Sequence, residues 1–314
     1  MQNKDIRDSF FDEVYELASK DENVIFISAD ADAFSLKKYK KDLPEQFINV
    51  GVAEQNMVLL ATGLALAGKK VFIYSITPFV TTRCFEQIKV NICSMNLNVT
   101  IVGLGRGFSF SYDGPTHHAT QDIAIMRTLP EIHILNPCDE NAAKNAAKFC
   151  YNSENPTFVR IDKGVFNTVY YDCECEDGIK EITSSSRVKI ITTGFMTHKA
   201  IEICDELKKM NLQVDVVDLY YLKPLPQQKV VNIIGNSDII FTLEENSIIG
   251  GIGTMISEVI VDNNLNTKIK RLALKDEQVL DFGDRDWLIK KNNLDNESIC
   301  GIIKKEVESE SIKY

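Results

Sequence analysis

Two short stretches of the chain hold residue types that could do chemistry. The first is Asn49-Val-Gly-Val-Ala-Glu54-Gln-Asn-Met57, which sets a carboxylate at the start of a run that is apolar almost all round. A first-turn Glu complements the helix dipole and caps free N–H groups. Glu54, however, comes after Gly51 and before a helix with almost no polar face. A carboxyl group there lies against the core rather than in water, where it can hold and share a proton. The second stretch is Tyr112-Asp113-Gly114-Pro115-Thr116-His117-His118, with two of the four histidines together in a Gly-Pro turn. Side chains in such turns emerge from sheet ends. Adjacent histidines rarely face one ion and no Cys or His partner is near, so a metal pair is disfavoured. General acid–base work or contact with a substrate hydroxyl suits the turn, beside the ordinary alternative of a loop histidine in structural hydrogen bonds.

Alternating helices and strands must position these residues. Helical periodicity covers Phe10 to Ala18, Glu54 to Ala67 (ended by Gly68), the region around Thr82 to Ser94, Gln121 to Thr128, and Asp139 to Asn152. Between them lie apolar runs of strand length: Val24 to Ala29, Lys70 to Ser75, Asn98 to Val102, Ile132 to Leu135 and Pro156 to Ile161. Strands separated by helices, with few hairpin signals, predict a mainly parallel sheet covered on both faces. Tyr170 to Arg187 is acidic, carries a Ser run and lacks an apolar period, as a linker would. The pattern restarts with strands at Val188 to Thr193, Gln213 to Asp218, Asp238 to Thr242 and Ile269 to Leu274. Helices are expected over Lys199 to Asn211, after Pro224 and Pro226, after the glycines at 250, 251 and 253, and over Arg285 to Lys305. The expected architecture is α/β with two domains, a mainly parallel sheet over 1–170 and a smaller α/β domain over 188–314, joined by a linker at 171–187.

Composition narrows the function class. A length of 314 residues suits two domains, and 44% hydrophobic with 25% charged residues is an ordinary globular balance. Against 45 acidic residues stand 35 basic ones, a formal net charge of −10 with no basic run, which disfavours nucleic acid as a partner. The longest nearly apolar stretch, Met57 to Ala67, is about half the roughly 20 residues of a membrane span. It reads as a buried core helix. The amphipathic, acidic start does not resemble a signal peptide, and the eight scattered cysteines read as reduced thiols, so a cytoplasmic location is expected. Cys173-x-Cys175 is a weak metal pair without partners, and no metal ligands are assigned to this chain. Gly250-Gly251-x-Gly253 has the look of a dinucleotide loop but does not open a first βαβ unit.

The stretch from Phe47 to Pro137 closely resembles the pyrimidine-binding domain of the transketolase family. The matching text is INVGVAEQNM, FVTTRCFEQI, DGPTHH with QDIAIMRTLP, and NPCDENAA. The second domain resembles that family's C-terminal domain through VDLYYLKPLP and TLEENSIIGGIG. The likeness covers nearly the whole chain and points to the C-terminal subunit of a split, two-chain transketolase. It implies a thiamine-diphosphate enzyme that transfers a two-carbon ketol unit from a ketose to an aldose. Glu54 matches the Glu that bonds N1′ of the aminopyrimidine, so that the imino tautomer can remove the thiazolium C2 proton. Phe79 matches the aromatic residue that stacks on the pyrimidine, with Phe85 second, and Arg83 matches an Arg common in these subunits. His117 matches the histidine that contacts substrate oxygens and assists proton movement. Asp113 matches a carboxylate that binds a sugar hydroxyl, and Arg160 the Arg that holds the acceptor phosphate, a suitable role for a guanidinium.

One departure concerns the substrate. Transketolases carry a histidine where this chain has Gly105, followed by Arg106. Deoxyxylulose-phosphate synthase has a phosphate-binding Arg at the latter place, which makes Arg106 a candidate for an anionic substrate group. The identity of the sugar, phosphorylated or nucleotide-linked, stays open. The family's Gly-Asp-Gly and downstream Asn, which hold the diphosphate through Mg²⁺, are absent. Phe282-Gly283-Asp284-Arg285 lacks the second Gly and is rejected. The resemblance therefore implies Mg²⁺ ligands on a partner chain that carries the diphosphate-binding domain, in a heterotetramer of two such chains and two partners. The competing readings are a deoxyxylulose-phosphate-synthase-like carboligase, the β subunit of a 2-oxo-acid dehydrogenase, and a regulatory subunit without catalysis.

Overall fold

Strands such as Val24–Ser28 and Val99–Leu104 are buried at every position, as strands covered on both faces must be. The computed structural model describes residues 4–171 and 177–309, which fall into two units. The first holds the chain up to Arg106 and again from Ile125. Its strands are β1 (Val24–Ser28), β2 (Phe47–Asn49), β3 (Lys70–Ile76), β4 (Val99–Leu104), β5 (His133–Leu135) and β6 (Thr157–Ile161), in the order β5-β6-β4-β3-β1-β2. Every pairing among them is parallel. The helices along this half of the chain are α1 (Ile6–Ala18), α2 (Leu36–Asp42), α3 (Glu54–Leu66), α4 (Thr77–Val80), α5 (Phe85–Gln87), α6 (Asp122–Met126) and α7 (Glu140–Asn152). Carboxylate caps start α1 and α7, though not α3. Asp5 accepts the N–H groups of Arg7 and Asp8 at α1, and Asp139 accepts that of Ala142 at α7.

Two expectations for this unit need correction. The segment expected to be one helix over Thr82 to Ser94 is the short α5 followed by a π-helical run, Ile88–Cys93. More important, α3 is not wholly a core helix. Its buried residues are Glu54, Met57, Val58, Ala61 and Thr62, while Leu59 and Leu66 are 49% and 62% exposed. With Gly63 between them at helical spacing, they leave an apolar stripe open. The cause is the apolar character of both faces: only one face of a helix can meet its own sheet.

The second unit holds β7 (Ile179–Glu181), β8 (Val188–Thr192), β9 (Asp215–Leu219), β10 (Tyr221–Lys223), β11 (Ile239–Ser247) and β12 (Lys268–Leu274). Its sheet runs β12-β11-β8-β9-β7. Its helices are α8 (Phe195–Lys209), α9 (Gln227–Gly235), α10 (Ile252–Asp262), α11 (Arg285–Lys291) and α12 (Asn296–Ser309). Part of the expected linker is strand, since Ile179–Glu181 pairs antiparallel with β9 and Ile179 supplies a buried edge residue. The helix expected over Arg285 to Lys305 is two helices. Asn293 takes a left-handed φ of 57°, and the Asp295 carboxylate accepts Ser298 N–H and Oγ–H to restart the chain as α12.

Residues 107–124 also belong to the second unit by their packing, although the sequence reading runs the first domain unbroken to 170. Phe108 explains this. It is fully buried in the second unit's core among Ile190, Phe241, Leu274 and Leu288.

Candidate functional site

In open parallel sheets, ligand-binding groups sit beyond the carboxyl ends of the strands. Glu54 follows β2 there, Phe79 and Arg83 follow β3, and Arg106 follows β4. Gly51, at a φ of +70°, turns the chain from β2 into α3, and its N–H is accepted by the Asn49 side chain. Glu54 then opens α3 only 3% exposed. One Arg83 Nη donates to its Oε2 at 2.8 Å, and the same guanidinium lies 4.1 Å from the Phe79 ring centroid. Gln55 fixes the Arg83 backbone by donating to its carbonyl. Three of the residues singled out from sequence thus form one constellation: a buried carboxylate, a half-buried aromatic face and a planar cation touching both. Phe85 is half-buried at the start of α5. The Cys84 thiol beneath donates to the Phe79 carbonyl, and burial, then the charge of Glu54, pushes it up to about 12. It stays a neutral thiol and no nucleophile.

The other two arginines singled out from sequence are both inside. Arg106 is 2% exposed. It donates to Asn136 Oδ1 at 2.8 Å and to the Pro137 carbonyl at 2.7 Å, with Asp162 at 3.6 Å and fully buried. Its charge is met from within the protein, and it ties the Asn136-Pro137 turn to the end of β6. Arg160 stands within β6, opposite Gly103 of β4, and is 3% exposed. Arg160 is thus a buried strand residue and not a surface one.

The histidine loop belongs to the second unit. Gly107 and Ala119 exchange backbone bonds of 3.0 and 2.9 Å and close its base. At its tip Gly114 takes a φ of +74° and its carbonyl accepts the His117 N–H, making the turn that Gly-Pro announces in sequence. Asp113 is exposed. His117 is half-exposed, its Nδ1 2.9 Å from Thr116 Oγ1 and its ring beside Phe110. His118 faces the other way, 6% exposed and edge-on to Phe108 at 5.0 Å. The adjacent histidines therefore divide, one toward solvent and one into packing.

Burial holds the His118 imidazole below its ordinary value of 6.5, ahead of the opposing influence of backbone groups at Ser111 and Val279. A histidine so lowered binds protons more readily when unfolded. Its contribution is fully present above about pH 6.5 and is lost as pH falls from there toward the lower folded value. The melting temperature of the chain is accordingly expected to fall on mild acidification, and less steeply in His118→Asn. Parallel pH profiles for the two proteins would contradict this.

Two motifs set aside on sequence have structural uses. The N–H groups of Ile252 and Gly253 at the start of α10 donate to the Glu244 carboxylate at 2.9 and 2.8 Å, and a Cβ at Gly251 would overlap that carboxylate. The anion that a helix start attracts is supplied by the protein itself. Asp284 caps α11 through Asp286 and Trp287 N–H. Cys173 and Cys175 lie outside the described residues. Among the described residues no three His, Cys, Asp or Glu side chains gather as metal ligands, and no helix is long and apolar enough to cross a membrane. Sequence reasoning missed Asn136 and Asp162 around Arg106, and the buried Glu245–Arg285 pair. Two adjacent carboxylates, Glu244-Glu245, inside the apolar run of β11 were the available signal for the latter.

Comparison with known proteins gives a consistent result. The family model described as transketolase, pyrimidine binding domain, matches residues 2–168, and that described as transketolase, C-terminal domain, matches 178–299. A transketolase C-terminal section of Methanocaldococcus jannaschii is 33% identical, over 98% of each chain. One of the subunits of an apulose-4-phosphate transketolase, from Phocaeicola vulgatus, is 30% identical, over 94% of this chain and 95% of that one. A solved split-gene transketolase, described as an inactive beta4 tetramer, superposes with a TM-score of 0.85 at 28% identity, covering 96% and 98% of the two chains.

Proposed function

The chain belongs to the transketolase family, and from that premise we propose that it is the C-terminal subunit of a two-chain enzyme that moves a two-carbon ketol unit from a ketose to an aldose. The observation that carries this is the Glu54–Arg83–Phe79 constellation at the carboxyl ends of β2 and β3. A buried carboxyl group able to hold a proton, beside an aromatic face, is what an aminopyrimidine requires. Bound thiamine diphosphate would supply, once its C2 proton is removed, the carbon nucleophile that adds to the donor carbonyl. Glu54 holds and shares a proton at the pyrimidine N1′, and its burial strengthens that bond by excluding water. Phe79, with Phe85 close by in sequence, offers a flat apolar surface, and Arg83 screens the Glu54 oxygen on one side. His117 meets a substrate oxygen from its half-exposed position and Asp113 takes a hydroxyl, while Arg160, as enclosed as Arg106, is given no acceptor group.

Mg²⁺ needs a near-octahedral set of oxygen ligands. The family's Gly-Asp-Gly with its downstream Asn is not found in the sequence, and on that ground the set is assigned to a partner chain bearing the diphosphate-binding domain. The open stripe of α3 and the names of the relatives, which speak of sections and subunits, support such a partner. Two chains of each kind complete two symmetric sites. The enclosed, ion-paired Arg106 weighs against a deoxyxylulose-phosphate-type reading, because a phosphate would have to displace Asn136, Pro137 and Asp162. Buried thiols such as Cys84 and Cys150 suit a reduced, cytoplasmic setting.

Calorimetric titration tests the division of labour. The isolated chain is expected to show no tight binding of thiamine diphosphate with Mg²⁺, and mixing with the diphosphate-binding partner is expected to restore binding and ketol transfer together. Submicromolar binding by this chain alone would overturn the split-subunit reading. Light scattering of the mixture should give a heterotetramer, and a 1:1 complex alone would remove that stoichiometry.

A further inference from the structure

We propose that Glu245, held by Arg285, is a positioning residue for His117 and Asp113, so that the second unit sets the geometry of substrate recognition. This rests on the reading above that the two loop residues meet substrate. The loop is fastened to the second unit along its length. Phe108 is sunk in that unit's core. The Ser111 carbonyl accepts the Gly283 N–H at 3.0 Å, and the Thr120 carbonyl accepts the Ser247 N–H at 2.8 Å. At the base, Gly107 adopts a φ of +49° and lies directly on Glu245: a Cβ there would overlap the carboxylate. Glycine is required twice over, for the backbone angle and for the approach.

A long carboxylate side chain would ordinarily swing away from such a contact. Glu245 cannot. Arg285 grips it with two parallel bonds, Nε to Oε1 at 3.0 Å and Nη2 to Oε2 at 2.6 Å, and both side chains are largely buried, at 5% and 17% exposure. The Arg285 guanidinium is itself stacked 3.7 Å from the centroid of Phe195. A bidentate pair of this kind fixes the carboxylate plane as well as its place. The residues between Phe108 and Ala119 are thus held by a rigid floor, and Asp113 and His117 are carried on the segment it supports. Sugar discrimination is expected to respond to residues of β11 and α11 that touch no substrate.

Gly107→Ala drives a methyl into the floor, and Glu245→Gln keeps its shape while weakening the grip, a safeguard should the alanine variant fold poorly. Deuterium exchange of residues 109–118 in the full-length chain is the first readout. At least a roughly ten-fold faster exchange is expected, about one decade of local opening equilibrium. Unchanged protection in both variants overturns the clasp, whatever reaction the protein performs. The second readout is the assembled two-chain enzyme. KM for the sugar is expected to rise about ten-fold while the C2–H exchange rate of bound thiamine diphosphate, which depends on Glu54, stays at the wild-type value. A fall in the exchange rate alongside the rise in KM would mean general destabilisation and would overturn the positioning role. If the wild-type complex shows no C2–H exchange, the functional reading fails, and the deuterium result alone decides the clasp.

Discussion

Glu54→Gln is expected to slow C2–H exchange of thiamine diphosphate, bound in the assembled two-chain enzyme, by roughly 10²- to 10⁴-fold, the usual worth of a positioned general acid–base group. The amide keeps the size of the side chain, its place at the first residue of α3, and an oxygen for Arg83. What it loses is the ability to exchange a proton. If Glu54 only complemented the helix dipole, the change would cost about 1 kcal/mol or less of stability and leave exchange untouched. The two outcomes lie far apart. Exchange read by NMR after acid quench separates cofactor activation from sugar binding, which a steady-state assay with an unidentified sugar cannot do. An exchange rate within a factor of about three of wild type, together with intact assembly, would reduce Glu54 to a helix-start residue.

Phe108→Ala is expected to cost about 3–5 kcal/mol, the range for emptying a fully buried aromatic site. Phe108 is completely inaccessible among aliphatic side chains of β8, α8, β11, β12 and α11. Its ring also supports His118 edge-on. Phe110, two residues on, is half-exposed beside His117, and its truncation should cost about 1 kcal/mol, as typical substitutions do. Urea unfolding of the two variants gives the comparison. Equal losses would show that the loop is not anchored through Phe108. The same experiment bears on the function of the second unit, because the residue that seats the histidine loop is part of that unit's core.

Much of this arrangement was legible in the linear text. Apolar runs of strand length separated by helical periods announced the parallel sheet of the first unit and the α/β character of the second, since a strand covered on two faces has no polar side to show. The Gly-Pro turn around His117 and the carboxylate opening α3 are local signals as well. They depend on residues a few positions apart, and the folded chain keeps them. Where local signals compete, the reading slipped. Asn293 and Asp295 divide a run with continuous helical character, and Ile179 turns part of an acidic connector into an edge strand.

The open face of α3 could not be read, because an apolar residue is written the same way whether its own sheet or another surface covers it. Arg106 and Arg160 posed the converse problem. A guanidinium in sequence suggests water or a ligand, yet Asn136, Pro137 and Asp162 enclose Arg106 by converging from distant parts of the chain. The sequence by itself determined the α/β class, the family and the identities of the acid–base candidates, all of them set by patterns within short windows. Only the tertiary structure decided that Arg83 joins Phe79 to Glu54, that His117 and His118 face opposite environments, and that the loop bearing them packs with the second unit. The last of these depends on Phe108 entering the second unit's core and on Gly107 meeting Glu245 in space, and no spacing along the chain encodes a contact between residues so far apart.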